Sequence, residues 1–487
     1  MSGTVRVFKN IVALLSERVV VPLANLVIVI LIARWQGSEG LGRFSAVIGF
    51  VSAFDILLDL GVNTLMVREV SRDRLASGRL ASRATTLKLA VFPFILLAVT
   101  VFLRFVHYPQ ETVLAFYLFS AAFMTSALAE TFSALYKAWE RMELLALVVL
   151  VRQLGVLVSV VVVLIGGAGL YAIAMCYLVV GVFCLVLTYA LYSMKVERIR
   201  LRFDTGFYDR LFENSLPFIT LGFFFLMFYR VGVVIVSTVA GDAQAGYFSA
   251  ASKVVASLLL LSTPFMDAVF PIISRFEPGS DHKIRPAVKD AFHLLSVISF
   301  PMAAGLAMTG ADFIRLMYGR GFDGAVPVMT VLSMTLPLAY LASALHYVAM
   351  ARDMQKKSFW GILAVTSACG ALCYGLVSRF GGLGAAYATL LYSVLVLVFL
   401  AFLVFRDIGD SSSPAEVIRP LAASVAMAAA LYFMSDVWVF ARAGAGAGVY
   451  AAVLWAVGGI SDSDVTRFRE ITRHFSPAKP GKSGSDR

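Results

Sequence analysis

Long apolar stretches separated by short polar turns run along almost the whole chain. Each stretch holds about 20 residues, the length that an α-helix needs to cross the hydrocarbon core of a bilayer. The pattern therefore predicts an all-α, polytopic membrane protein with about fourteen transmembrane helices. The predicted spans lie near residues 11–33, 44–66, 84–104, 112–136, 144–165, 168–193, 212–239, 246–273, 287–309, 324–350, 358–378, 383–405, 417–436 and 439–459.

Two turns between predicted helices recur later in the chain. ARWQGSEGLGRFSAV (33–47), after the first span, matches STVAGDAQAGYFSAA (237–251), after the seventh, at an offset of 204 residues. GGAGLYAIAMCYLV (166–179) matches GGLGAAYATLLYSV (381–394) at an offset of 215. Because six spans return the chain to its starting side, the two halves have the same orientation. This arrangement is typical of transporters whose halves rock about a site at their interface.

The repeat predicts two pseudo-symmetric six-helix halves followed by a C-terminal addition. The predicted boundaries are an N-terminal lobe at 1–193, a cytoplasmic linker at 194–211, a C-terminal lobe at 212–406, two extra transmembrane helices at 407–460 and a cytoplasmic tail at 461–487.

Composition and charge agree with a membrane protein and orient it. The chain is 60% hydrophobic and 15% charged, against roughly 45–50% and about 25% in soluble domains. With the N-terminus in the cytoplasm, the cytoplasmic loops and tail hold most of the 41 Lys and Arg residues, which predicts that both termini are cytoplasmic. The same asymmetry explains the net charge of +11, so no nucleic-acid partner is expected. No removable signal peptide is expected either.

The loops and the tail are too short for a soluble catalytic domain. GKS at 481–483 lacks the upstream glycine and the strand of a phosphate-binding loop. The sequence therefore predicts that the protein is not an enzyme, hydrolyses no ATP and needs no cofactor. An integral membrane glycosyltransferase or polymerase is an alternative, but it would place catalytic carboxylates or histidines on sizeable loops, whereas the five histidines are scattered.

The order of several sequence blocks resembles the polysaccharide flippase family. That family forms one superfamily with multidrug-and-toxin extrusion proteins and lipid II flippases, and the resemblance covers essentially the whole chain. It implies translocation of an undecaprenyl-pyrophosphate-linked oligosaccharide across the bacterial cytoplasmic membrane by alternating access, in the company of the polysaccharide polymerase machinery. One small departure is Gln36-Gly37, where the family usually has Leu-Gly. The blocks are ARWQGSEGLGRFS (33–45), DLGVNTLMVREVSR (59–72), ERM (140–142) and GYFSAASKVVASLLLLSTPFMDAVFPIISRF (246–276).

Basic side chains inside the predicted spans are the candidates for substrate binding. Each costs several kcal/mol in hydrocarbon unless something neutralises it. A pyrophosphate that crosses a bilayer needs cationic donors, and a guanidinium holds phosphate oxygens through paired hydrogen bonds. We therefore expect Arg18, Arg152, Arg230 and Lys253 to line a substrate cavity. Lys88 lies nearer a cytoplasmic end and is expected to extend to the membrane surface.

Acids at comparable depth are expected to balance these cations or to take up a coupling proton or sodium ion. The acids at this depth include Glu17, Asp55, Asp59, Glu130 and Asp267, and the first four are the candidates for this role. Asp55 and Asp59 lie one helical turn apart, so the pair could share a proton. A competing interpretation of Arg230 is an internal salt bridge to Glu130 or Asp59.

A multidrug or cation antiporter of the same fold is the other transport alternative. Such a protein favours an acidic cavity with few arginines, whereas several basic residues lie within these spans.

Overall fold

The computed structural model describes residues 20–54, 58–59, 61–194, 221–262, 265–266, 270, 281–409, 414–434 and 437–459. Three of the predicted site residues, Glu17, Arg18 and Asp55, lie outside the described residues. Asp267, the predicted tail and nearly all of the predicted linker lie outside them as well.

Within these described ranges every regular element is a helix, which confirms the predicted fold class. The N-terminal half contains α1 (Val21–Ser52), α2 (Val62–Arg72), α3 (Ser77–Phe105), α4 (Gln110–Ala138), α5 (Met142–Ile165) and α6 (Leu170–Ser193). The C-terminal half contains α7 (Leu221–Ala240), α8 (Asp242–Leu259), α9 (Asp281–Tyr318), α10 (Ala325–Ser333), α11 (Thr335–Ala351), α12 (Gln355–Phe380) and α13 (Gly382–Ile408). The last two helices are α14 (Pro414–Phe433) and α15 (Val439–Ala456). In the described part of the chain, 11 helices are long and apolar enough to cross a membrane.

A glycine breaks α1 in the middle and divides it into two helical segments. Gly37 has φ 69° and ψ −167°, a conformation that is essentially restricted to glycine. The segments on either side of this break correspond to the first two predicted spans. Gly241, at the repeat offset of 204, makes the equivalent turn between α7 and α8 with φ 92° and ψ 163°. The two halves therefore begin with the same helix-turn-helix.

The halves meet where α1 packs against α8. The Oγ atoms of Ser45 and Ser249, which are equivalent in the repeat, lie 2.6 Å apart in a buried hydrogen bond. A contact between equivalent residues places a pseudo-twofold axis between them.

Paired glycines allow the two helices to come this close. A Cβ atom on Gly42 would collide with the carbonyl oxygen of Asp242, and one on Gly246 would collide with the carbonyl oxygen of Ser38. The offset of 204 exchanges the two contacts, so the same packing occurs on both sides of the axis.

Helices α14 and α15 attach to α9 of the C-terminal half. Arg442 of α15 forms an ion pair with Asp312 of α9 at 3.0 Å, and the hydroxyl of Tyr450 donates to the carbonyl oxygen of Val297 at 2.8 Å. The two helices contribute none of the described residues that line the central cavity.

Candidate functional site

A cavity of about 770 Å³ lies between the two halves. Its volume is within the range of roughly 300–1,000 Å³ that is usual for ligand pockets. Helices α1, α4 and α6 line one side, and α7, α8, α11 and α13 line the other. Aromatic rings and serine hydroxyls make up much of the described wall: Phe44, Phe123, Tyr177, Tyr229, Tyr347, Tyr392, Ser45, Ser52, Ser249, Ser252, Ser343 and Ser393.

The cavity has a closed end at the turns around Gly37 and Gly241. Among the described lining residues, none lies between Val29 and Phe44, and none between Val233 and Ser249. The lining instead continues from the serine pair along the remainder of α1 and α8. If the two turns face outward, as the predicted topology has them, the cavity would extend toward the cytoplasmic side.

Two of the predicted substrate-binding residues, Arg230 of α7 and Lys253 of α8, line this cavity together. Arg230 donates a hydrogen bond from Nη1 to the carbonyl oxygen of Ser52 on α1. Gly49 permits this approach, because a Cβ there would lie 3.0 Å from the carbonyl oxygen of Arg230. The Lys253 side chain is exposed although its helix is central, since it faces the cavity. Lys253 is also close enough to Arg230 for their like charges to interact.

The described wall of the cavity contains no Asp or Glu. Arg230 and Lys253 therefore bring two like charges to the same space. Such a surface attracts anions and repels cations.

Arg152 and Glu130, two further predicted site residues, lie in a different pocket. This pocket, of about 390 Å³, is inside the N-terminal half and shares no described lining residue with the central cavity. Arg152 forms an ion pair with Glu130 at 3.5 Å. Asp59 accepts a hydrogen bond from the backbone N–H of Asn63 at 3.3 Å. The structure thus gives Glu130 and Asp59 partners other than Arg230.

The expectation that Lys88 extends to the membrane surface is wrong. Its side chain is 1% exposed. The ammonium group donates to the carbonyl oxygen of Ala127 at 2.7 Å and to Thr131 Oγ1 at 2.8 Å. Position along the span suggested a surface lysine, but the lysine lies on the face of α3 that packs against α4, where polar acceptors are available. The sequence pattern offered no signal for those acceptors.

A polar network joins the halves at the closed end. Arg43 of α1 forms an ion pair with Asp242 of α8 at 3.0 Å. Asp242 also accepts a hydrogen bond from Ser237 at 2.6 Å, and Ser237 shares a hydrogen bond of 2.9 Å with Tyr108. Arg43 and Tyr108 come from the N-terminal half, while Asp242 and Ser237 come from the C-terminal half. Sequence reasoning did not select these residues, although the repeat pointed to the turns that hold three of them.

A comparison with known families decides the classification. Residues 7–277, which are more than half of the chain, match the family described as polysaccharide biosynthesis protein. The chain belongs to this polysaccharide biosynthesis protein family. The matched region contains the whole N-terminal half together with α7 and α8, so it includes Arg230, Lys253 and the serine pair. Membership confirms the resemblance to the polysaccharide flippases.

One curated relative of this polysaccharide biosynthesis protein is described as a candidate O-antigen transporter of Escherichia coli strain K12. The two sequences are 27% identical over 170 residues, which are 34% of this chain and 41% of the relative. The match thus spans less than half of the relative's length.

Solved structures of two transporters share the fold of the polysaccharide biosynthesis protein. The lipid II flippase MurJ, in an inward closed conformation, has a TM-score of 0.68 at 14% identity, covering 95% of this chain and 99% of that chain. An inward-facing multidrug resistance MATE family transporter of the MOP superfamily has a TM-score of 0.64 at 14% identity, covering 81% and 99%. At these identities the likeness establishes the fold alone.

Proposed function

We propose that the protein is a secondary flippase. Its substrate is an undecaprenyl-pyrophosphate-linked oligosaccharide, which it moves from the cytoplasmic to the outer leaflet of the bacterial inner membrane for surface polysaccharide synthesis. The observation that carries this proposal is that Arg230 and Lys253 line one cavity between the halves.

The chemistry of the substrate fits this cavity. A pyrophosphate carries concentrated negative charge that cannot enter hydrocarbon without compensation, and a buried cation is equally costly when alone. Binding of the pyrophosphate to the cations therefore offsets the desolvation cost of both groups. The guanidinium of Arg230 offers paired donors to phosphate oxygens, while Lys253 supplies a point charge. Serine hydroxyls and aromatic rings in the same wall suit the attached sugars.

Alternating access about the pseudo-twofold axis supplies the movement. The conformation described has a closed end at the Gly37 and Gly241 turns and a cavity that runs toward the predicted cytoplasmic side. Separation of α1 from α8 at the serine pair, with closure at the opposite end, would present the same two cations to the outer side. A proton or a sodium ion is proposed as the coupling ion.

The remaining predicted charges have a different proposed role. Because Arg152 and Glu130 are paired in the second pocket, we assign them, together with Asp59, to charge balance inside the N-terminal half. Arg18, Glu17 and Asp55 stay as proposed cavity or coupling residues from the sequence.

A multidrug antiporter of the same fold is disfavoured by charge. Its amphipathic cations would meet the like charges of Arg230 and Lys253 in the cavity.

A flipping assay separates the two functions. The purified protein is reconstituted into liposomes that carry a pyrophosphate-linked glycolipid in one leaflet, and appearance of its sugar in the other leaflet is followed with a lectin or an added glycosidase. We expect protein-dependent flipping and no transport of a cationic dye in matched liposomes. Dye transport without flipping would establish the antiporter and reject the flippase.

A further inference from the structure

The N-terminal half contains a buried polar site that the substrate cavity does not use. At its centre is the ammonium group of Lys88, which is 1% exposed. Its three donors meet three neutral oxygen atoms: the carbonyl oxygen of Ala127 at 2.7 Å, Thr131 Oγ1 at 2.8 Å and Asn63 Oδ1 at 3.4 Å. These oxygens come from α2 and α4, while the lysine comes from α3, so the site joins three helices.

Two carboxylates surround this group without touching it. Asp59 and Glu130 lie close enough to interact electrostatically with Lys88. Asp59 is tied to the site because it accepts the backbone N–H of Asn63, and Glu130 is paired with Arg152. With the lysine charged, two acids and two bases balance. Without its charge, these four side chains carry one uncompensated negative charge.

The oxygens around Lys88 are those that an alkali metal ion would use. A carbonyl, a hydroxyl and an amide oxygen replace the hydration shell of a hard monovalent cation, and nearby carboxylates balance its charge. An ammonium group makes the same demands, since it has three donors and no acceptor. We propose that Asn63, Ala127 and Thr131 form a monovalent-cation site and that the chain fills this site permanently with its own Lys88.

If the proposed transport function is correct, the Lys88 ammonium group limits where a coupling ion can bind. A half that carries its own cation at this position has no place there for a sodium ion. Any sodium dependence of flipping would then arise elsewhere in the molecule. The binding proposal itself does not need transport, so the two are tested apart.

Removal of the side chain should open the site to a free ion. We expect Lys88→Ala, purified in detergent, to unfold at a higher temperature in sodium chloride than in choline chloride at equal ionic strength. The expected rise in Tm is on the order of 2–4 °C, whereas the wild-type protein should show no difference. Methylammonium, which restores the missing group, should stabilise the variant as well.

Two further variants locate the effect. Lys88→Ala combined with Thr131→Val should lose the sodium effect, because one of the three oxygens is gone. Lys356→Ala, which removes an exposed lysine at the start of α12, should behave like the wild type.

The proposal can be tested even if the Lys88→Ala variant folds poorly. If Lys88→Ala is recovered poorly, the yield of folded protein purified in sodium or methylammonium should exceed the yield in choline, and Lys88→Ser should show the same order. Equal stability and equal yield in the three salts would overturn the proposal. An equal sodium effect in the wild type would overturn it too, because the ion would then bind elsewhere.

Discussion

The Oγ atoms of Ser45 and Ser249 lie 2.6 Å apart, although 204 residues separate them in sequence. Both are buried, and each stands at the same position of its repeat. Their contact marks the pseudo-twofold axis and also the floor of the closed end. If the halves separate there during transport, this hydrogen bond must break in every cycle.

A disulfide at this position should stop transport. Cysteine is close in size to serine, and sulfur atoms at these positions need only a small shift to reach bonding distance. We expect Ser45→Cys combined with Ser249→Cys to form the bond under mild oxidant and to lose flipping, with recovery after reduction. Each single variant should flip at the same rate with and without oxidant. Normal flipping by fully cross-linked protein would contradict separation of α1 and α8.

The close approach of α1 and α8 should not tolerate even a methyl group. Gly246→Ala places a Cβ against the carbonyl oxygen of Ser38, so the helices must move apart. Overpacking of this kind costs about 1–3 kcal/mol, and thermal unfolding in detergent should report that loss together with slower flipping. The matched control is Gly444→Ala in α15, where a Cβ meets no atom within 4 Å. The control should be neutral or more stable. Equal stability of the two variants would show that the packing at Gly246 adjusts freely.

The ion pair between Arg43 and Asp242 should act as a latch on the closed end. Because it joins the two halves at 3.0 Å, its loss should favour the opposite conformation. We expect Asp242→Arg to lower flipping, and Arg43→Glu in the same chain to restore part of it by reforming the pair with reversed sign. Accessibility of a cysteine at Ser249 to a membrane-impermeant maleimide, added from the outer side, should rise in the single variant and fall in the double one. No recovery in the double variant would assign the effect to Asp242 alone, through its hydrogen bond with Ser237.

Reporter fusions at two positions test the predicted orientation of the chain in the membrane. With both termini in the cytoplasm, residue 243 faces out and residue 480 faces in. A periplasmic alkaline phosphatase reporter should therefore be active at 243 and inactive at 480. Activity at both positions, or at neither, would reject the fourteen-span topology.

The sequence was informative where a feature repeats or where a charge has an unavoidable cost. The repeat identified Ser45 and Ser249 as equivalent, because each follows its turn by the same number of residues. The repeat does not predict that these two equivalent residues touch, because contact depends on where the pseudo-twofold axis passes through the structure. The cost of an arginine in hydrocarbon identified Arg230, but its position beside Lys253 depends on how α7 and α8 cross.

Lys88 shows the opposite limit of sequence reasoning. Its place along a span suggested a long side chain that reaches the surface. The structure buries it, because acceptors on α2 and α4 happen to face it. The three acceptors lie on two helices that are distant from Lys88 in sequence, so only the packing of three helices reveals the site. Arg152 was likewise grouped with Arg230 by depth, although the fold places the two in separate pockets.

Flipping by a graded set of Arg230 variants tests the central claim most directly. In liposomes with equal amounts of folded protein, Arg230→Ala should abolish flipping of the pyrophosphate-linked glycolipid. Arg230→Lys should retain part of it, because the charge stays while the paired donors are lost. Arg230→Glu should be inactive, and Lys253→Ala should flip the glycolipid more slowly than the wild type. If Arg230→Ala instead flips at the wild-type rate, or if the variant is lost from the membrane and recovers when Glu130 or Asp59 is neutralised, Arg230 is a structural residue and the cavity does not bind the pyrophosphate.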